Sequence, residues 1–274
     1  MQFRFLLEDV IIKLSQETPK IDPIDFSRKY STANHYQFSL HVKNVGEFYA
    51  ENGELIIINP LPGVDSKTIE LYLNGSVLGA ILHQRQILAL HGSSFNFNDA
   101  TVIICGDSGF GKSSITLIFC MKYGAQFLTD DITPIQNGMI LPISEKLKIW
   151  EDLLESLGLE KENLTRIHDQ MDKYYLELKT EAIEQKPSIV FFGEIHKGSE
   201  LSIIKVEGAE KFERIFNNQY WEELTTSTEN RRKDYFKDIM KICENTLMFV
   251  LARPEKMSAQ EVSIQLSRFI VEET

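Results

Sequence analysis

The stretch that most limits how this chain can fold is residues 101–114. An apolar, β-branched run, Thr101-Val102-Ile103-Ile104-Cys105, leads into Gly106-Asp107-Ser108-Gly109-Phe110-Gly111-Lys112-Ser113-Ser114. The spacing is G-x-x-x-x-G-K-S. Three glycines allow the backbone to curl so that successive amides face one point, and a helix starting there presents its positive end to the same point. A phosphate chain fits such a cradle. Lys112 would reach the terminal phosphates and Ser113 would be a ligand of a magnesium ion bridging them. The apolar run 115–121 after the loop reads as a buried helix, so the motif predicts strand, loop and helix in succession and an α/β domain around them.

Before the loop the chain is β-rich. Alternation is clearest at Tyr36-Gln37-Phe38-Ser39-Leu40-His41-Val42, and Asn52-Gly53 marks a hairpin between Phe48-Tyr49 and Leu55-Ile56-Ile57-Ile58. His35 and His41 belong to that sheet's surface. Ile69, Leu73, Val77 and Ile81 then recur at helical spacing over 66–84, with Gly75 and Gly79 weakening the helix. The expected division is a small β-rich lobe with a linking helix over 1–80, and a nucleotide-binding core with a lid segment over 81–274.

Gln86-Ile87-Leu88-Ala89-Leu90-His91-Gly92 reads as the next strand, and the turn-rich Asn96-Phe97-Asn98-Asp99 brings the chain back antiparallel into the loop strand. His91 therefore lies near the nucleotide. After the loop helix, which Gly124 ends, Ala125-Gln126-Phe127-Leu128-Thr129 is a short strand that delivers Asp130 and Asp131 at its carboxyl end, the edge where open α/β sheets bind ligands. Two adjacent carboxylates diverge at a strand end. One suits magnesium and the other a hydroxyl-activating base. Ser113 and Asp131 are the candidate metal ligands; the choice of base between Asp130 and Asp131 stays open.

Farther on, a hairpin at Asn137-Gly138 precedes a helix read over 148–157 that stops at Gly158. The charged segment 160–172 is a lid or a solvated loop. Strands follow at 174–178, 188–192 and 201–206, a helix at 209–216, a helix around 239–242, a strand at 246–251 and a closing helix through Val262, Leu266 and Ile270. The continuous apolar run 188–192 marks a central strand. Asn230-Arg231-Arg232-Lys233 is the compact basic run: a solvated helix face, or arginines that close over phosphate.

Composition enters by exclusion. A net charge of −11 disfavours a polyanionic partner such as duplex nucleic acid. Cys105, Cys120 and Cys243 show neither disulfide nor zinc spacing, as expected of free thiols in a reducing cytoplasm. Glu8, Asp9 and Lys13 interrupt the apolar amino terminus, so no export signal is read there, and no run approaches the ~20 apolar residues of a membrane span. No Leu-Ser-Gly-Gly or Asn-Lys-x-Asp motif points to a transporter ATPase or a guanine-specific site.

Taken in order and spacing, Leu90-His91-Gly92-Ser93-Ser94, the loop 106–113 and the Asp130-Asp131 pair resemble the HPr kinase/phosphorylase family. The resemblance covers roughly residues 80–135 well and is closest in manner to the short HPr-kinase-like proteins that accompany peptide-modification systems such as lasso-peptide maturation. It implies that Lys112 binds the phosphates and Ser113 the metal. One carboxylate of Asp130 and Asp131 would be the base, the other would assist the metal, and His91 would contact the transferred phosphoryl group. The Leu-Glu-Ile-Arg-Gly-Leu-Gly stretch that HPr kinases carry after the acidic pair is missing, so the resemblance leaves both HPr as acceptor and the phosphorolytic back-reaction open. The expectation is an ATP- and Mg2+-dependent kinase acting on a hydroxyl, seryl by resemblance, of a peptide or protein. Two alternatives stand beside it: a small-metabolite hydroxyl kinase, for example of free serine, and a nucleotide-sensing partner protein without turnover. A monomer and a homo-oligomer are both open.

Overall fold

The computed structural model describes residues 3–144, 146–161, 164–168, 171–178, 183–221, 224 and 229–274, the side chains of 168, 171 and 229–234 excepted. The chain is mixed α/β with several sheets, and it divides into two compact units, Met1–Ala89 with Tyr220–Lys237, and Leu90–Gln219 with Asp238–Thr274.

In the first unit a six-stranded sheet runs in the order Ile11–Leu14, Leu55–Pro60, Gly46–Glu51, Gln37–Val42, Ser31–Ala33, Phe26–Ser27. Its pairings are antiparallel except Ile11–Leu14, which lies parallel to Leu55–Pro60. Asn52 and Gly53 both take positive φ (55° and 72°), as the expected Asn-Gly hairpin requires. Phe38, Phe48, Ile56 and Ile58 pack against Ile69, Leu73, Val77 and Ile81, all buried. Four residues separate each of those helix positions from the next, more than the 3.6 of an α-turn. The helix accommodates this with a π segment, Leu73–Val77, between Ser66–Tyr72 and Leu78–Gln84, which widens the turn and keeps the stripe on the sheet. Gly79 has its own reason: a β-carbon there would lie 2.6 Å from the Tyr220 ring.

The second unit is organised on a six-stranded sheet in the order Gln126–Thr129, Gly92–Phe97, Ala100–Gly106, Ile189–His196, Leu247–Pro254, Ser202–Lys205. Ala100–Gly106, Ile189–His196 and Leu247–Pro254 are parallel neighbours, and their carboxyl ends share one edge. Gly92–Phe97 is antiparallel to Ala100–Gly106 and to Gln126–Thr129, so the strand carrying Asp130 and Asp131 ends at that same edge. Helices Lys112–Lys122 and Ala259–Glu273 cover one face through Ile115, Phe119, Val262, Leu266 and Ile270, packed on Val102, Ile104, Phe191 and Leu251. Gly124 (φ 71°) ends the first of these helices as expected.

Several elements differ from the sequence expectation. The strand read over 86–92 is two: Leu88–Leu90 and, after His91, Gly92–Phe97. The helix read over 148–157 begins only at Glu151 and runs to Ser156. Lys146–Trp150 is a strand, because Leu147 and Ile149 are buried while Lys146, Lys148 and Trp150 face the other way, a two-residue period hidden by the helical pattern that follows. Residues 160–172 contain part of a hairpin: Thr165–His168 pairs antiparallel with Met171–Glu177, which pairs with Lys146–Trp150 in turn. The basic run 230–233 lies in helix Glu229–Asn245, its side chains outside the described residues.

Candidate active site

The loop 106–114 leaves its strand at Gly106, and all three loop glycines take positive φ: 138° at Gly106, 91° at Gly109 and 104° at Gly111. At Gly109 and Gly111 the space is open, so conformation alone calls for glycine. At Gly106 space counts as well. Gly106 faces Gly193 across the parallel pair, and a β-carbon on it would lie 2.8 Å from the Gly193 carbonyl. The Phe110 ring fills the room that the missing Gly193 side chain leaves, and is buried beneath the loop. Asp107 and Ser108 are exposed on its rim, and Ser114 continues into the helix that starts at Lys112. Lys112, 8% exposed, donates to the Gly106 and Asp107 carbonyls at 2.6 and 3.1 Å, and its ammonium lies 3.2 Å from His91 Nε2. An ammonium only donates, so that contact requires the lone pair on Nε2 and the ring proton on Nδ1, which points toward Asp131 Oδ1 at 3.9 Å.

Behind the acidic pair is a buried chain of hydroxyls. Ser93 bonds to the Thr129 carbonyl, Ser94 to the Thr129 hydroxyl, Thr129 to Thr133, and Thr133 to the Gly92 carbonyl. These bonds tie the strand after His91 to the corner at Asp130, which accounts physically for Ser93 and Ser94 following His91. At that corner the two carboxylates separate. Ser113 Oγ donates to Asp130 Oδ1 at 2.7 Å, whereas Asp131, with a left-handed φ of 70°, turns to other partners. Lys148 holds both: its amide donates to Asp130 Oδ2 at 2.9 Å and its ammonium to Asp131 Oδ2 at 2.7 Å. The side-chain neighbour of Ser113 is thus Asp130, while Asp131, the carboxylate expected beside the metal, pairs with Lys148.

The two carboxylates differ electrostatically. Burial pushes Asp130 above the usual carboxylate range, the Lys148 amide opposes this, and the nearby charge of Asp131 adds to the rise. Burial alone would raise Asp131 too, but the Lys148 ammonium outweighs it, with His91 and Lys112 adding to the effect, so Asp131 lies below its ordinary value. Lys148 is raised, because its ion pair with Asp131 outweighs its burial. Burial and then the Lys112 charge lower His91, and burial also lowers Lys112. Neutral His91 beside a buried ammonium agrees with the tautomer deduced above.

Magnesium prefers hard oxygen donors and keeps part of its shell for phosphate oxygens. The Ser113 hydroxyl and the Asp130 carboxylate, side by side at the loop, suit it in kind, and a cation there would relieve the charge that burial disfavours on Asp130. No cluster of three acidic, histidine or cysteine side chains occurs among the described residues, so phosphate oxygens and water would complete such a shell.

Of the site residues read from the sequence, His91, the loop from Ser108 to Ser114, Asp130 and Asp131 border one cleft of about 460 Å³; Gly106 and Asp107 lie outside its lining. Among the further residues that line it, Lys148, Trp150, Lys173 and Arg253 carry no functional signal in the sequence reading. Arg253 closes the loop from behind, donating to the carbonyls of Phe110 (2.8 Å), Gly109 (3.1 Å) and Met257 (2.9 Å). The alternation of 146–150 would have revealed Lys148 and Trp150; Arg253, at a strand end in an Ala-Arg-Pro run, carries no local signal.

No protein-family model matches the chain, and no curated protein sequence matches it. Among solved structures, the HPr(Ser) kinase/phosphatase from Coxiella burnetii is similar at 11% identity over 68% of this chain and 89% of that one, with a TM-score of 0.34. A score that low is no evidence of shared activity.

Proposed function

We propose that the chain is an ATP- and magnesium-dependent kinase that phosphorylates a hydroxyl, seryl on a peptide or protein. The observation that carries this reading is the Ser113 to Asp130 hydrogen bond, which joins a phosphate-binding loop to an acidic pair whose second member, Asp131, is ionised and turned to separate partners. Loop amides and Lys112 would hold the phosphates. Ser113 and Asp130 would hold the metal, which when bound supplies charge neutralisation at the phosphates. Asp131 would accept the proton of the acceptor hydroxyl, whose oxygen bonds to the terminal phosphorus as the bond from that phosphorus to the bridging oxygen breaks. The products are a phosphoester and ADP. A carboxylate held low by Lys148 is a modest base, which suffices where proton transfer trails a loose phosphoryl-transfer step.

The test is incubation with labelled ATP and magnesium against serine-containing peptides, free serine, homoserine and sugars. Label on a peptide seryl oxygen is the expected outcome. Label on a free metabolite alone would transfer the reading to a small-molecule kinase, and ATP bound but never consumed would overturn it.

A further inference from the structure

Four cationic side chains line the cleft, and their partners set one apart. Lys112 donates to the Gly106 and Asp107 carbonyls, Arg253 to those of Gly109, Phe110 and Met257, and Lys148 to Asp131. Lys173 has neither a carboxylate nor a carbonyl among the described residues. Its ammonium rests 4.7 Å from the centre of the Trp150 indole.

The position follows from strand register. Lys173 pairs with Trp150 and Tyr175 with Lys148 across adjacent antiparallel strands. Side chains two apart on a strand share a face, so Lys148, Trp150, Lys173 and Tyr175 lie on one face of the small sheet. The opposite face sends Leu147, Ile149 and Tyr174 into an apolar core with Leu117 and Phe127, which fixes the cationic face toward the cleft. Lys173 is thus diagonal to Lys148, a neighbour in reach of long side chains. Burial, then the charge of Lys148, lower the pKa of the Lys173 ammonium, while Asp131 and Asp130 act the other way. A partly buried cation held, among the described residues, by an aromatic face is a ready partner for an arriving anion.

We propose that Lys173 is the cation that moves from Trp150 onto the transferring phosphoryl group. This rests on the kinase reading. The terminal phosphoryl is favoured over a carboxylate on the acceptor because the same cleft contains the loop, the acidic pair and Lys173 together. Charge on the phosphoryl oxygens is what a mobile cation stabilises in such transfers.

The experiment uses the full chain with Trp221→Phe, so that Trp150 is the single tryptophan reporting, and compares it with added Lys173→Ala and Lys173→Arg. Magnesium-ADP affinity is measured first, then release of labelled ADP with aluminium fluoride present as the phosphoryl mimic. Expected results are ADP affinity within about twofold in all three, ADP release slowed by the mimic in the parent, at least about tenfold faster release in Lys173→Ala, and recovery in Lys173→Arg. The parent's tryptophan emission should change on adding the mimic to the ADP complex. Slow release retained in Lys173→Ala overturns the proposal, as does a parent that binds magnesium-ADP but gains nothing from the mimic. A parent that does not bind magnesium-ADP at all overturns the kinase reading itself, and the proposal with it.

Discussion

Lys148 binds Asp131 through its ammonium at 2.7 Å while its main-chain amide holds the preceding aspartate, so one strand residue sets the orientation of both carboxylates. The ammonium matters more to Asp131 than to the rest of the site. Lys148→Met should leave Asp131 without its counter-ion at a cost of roughly 1–3 kcal/mol, less than a fully buried pair because both side chains keep some solvent contact. Adding Asp131→Asn should recover most of that loss. Thermal denaturation of the two single variants and the double variant would show it; strictly additive losses would mean that the pair does not act as a unit.

The carboxylates should separate binding from chemistry. Asp130→Asn keeps the volume but cannot accept from both Ser113 and the Lys148 amide, so magnesium-ATP affinity should fall by about tenfold or more while metal-free ATP is held as before. Asp131→Asn should retain magnesium-ATP and lose transfer by about 10² to 10⁴. Calorimetry with and without magnesium, followed by transfer assays on the acceptor, checks both. Full transfer in both variants would make the pair structural.

Lys112→Ala should lower nucleotide affinity by about tenfold to a hundredfold, the range for hydrogen bonds from a charged group. This ammonium bonds two loop carbonyls, so circular dichroism and melting must accompany the calorimetric titration. Unchanged affinity in a folded variant would remove the phosphate role.

His91 gives a pH prediction. Burial, then the Lys112 charge, depress its pKa below the ordinary 6.5, so the folded state favours the neutral ring. The unfolded chain takes up the proton first as pH falls. Stability contributed by this group is therefore present above pH 6.5 and is lost as pH falls from there toward the depressed value. His91→Gln, with its amide oxygen toward Lys112, should melt with a shallower acid-side decline over that window. Parallel melting curves for wild type and variant would show that His91 is not the group titrating.

How much was legible in the sequence follows from the range of the interactions involved. The loop was readable because its glycines and Lys112 act through backbone conformation within a few residues, and the β-rich amino-terminal segment was readable from period-two alternation and one Asn-Gly turn. Asp130 and Asp131 were located by position in the chain. Their separate partners were not, because the Ser113 and Lys148 contacts depend on register between elements 17 and 18 residues apart. The helical pattern from 151 onward masks the five-residue alternation that places Lys148 on a strand. Lys173 and Arg253 lie still farther along the chain, and strand order in the sheets rather than local pattern brings them to the cleft.

Arg253 carries the last prediction. Its guanidinium donates to the Phe110 and Gly109 carbonyls of the loop and to Met257 just before the closing helix, and it lies 5.5 Å from the centre of the Phe110 ring. The Phe110 carbonyl drawn back onto the arginine leaves the amide of the same peptide plane, that of Gly111, on the opposite side, while the Phe110 amide donates to the Asp107 carbonyl at 3.2 Å and closes the turn. The residue would act through the loop, which makes it a positioning residue. Lysine offers a point charge where the fork of a guanidinium spans several acceptors, so a lysine at this position could not hold all three carbonyls at once. Arg253→Lys and Arg253→Ala should both weaken magnesium-ATP binding, by about tenfold and about a hundredfold, with Lys112 and the acidic pair intact. Amide hydrogen exchange at 109–111 should rise in both variants in the absence of nucleotide, a readout that loss of a direct ligand contact would not move. Unchanged exchange with weakened binding would instead make Arg253 a direct nucleotide contact, and unchanged binding in the alanine variant would show that the loop holds its shape without it.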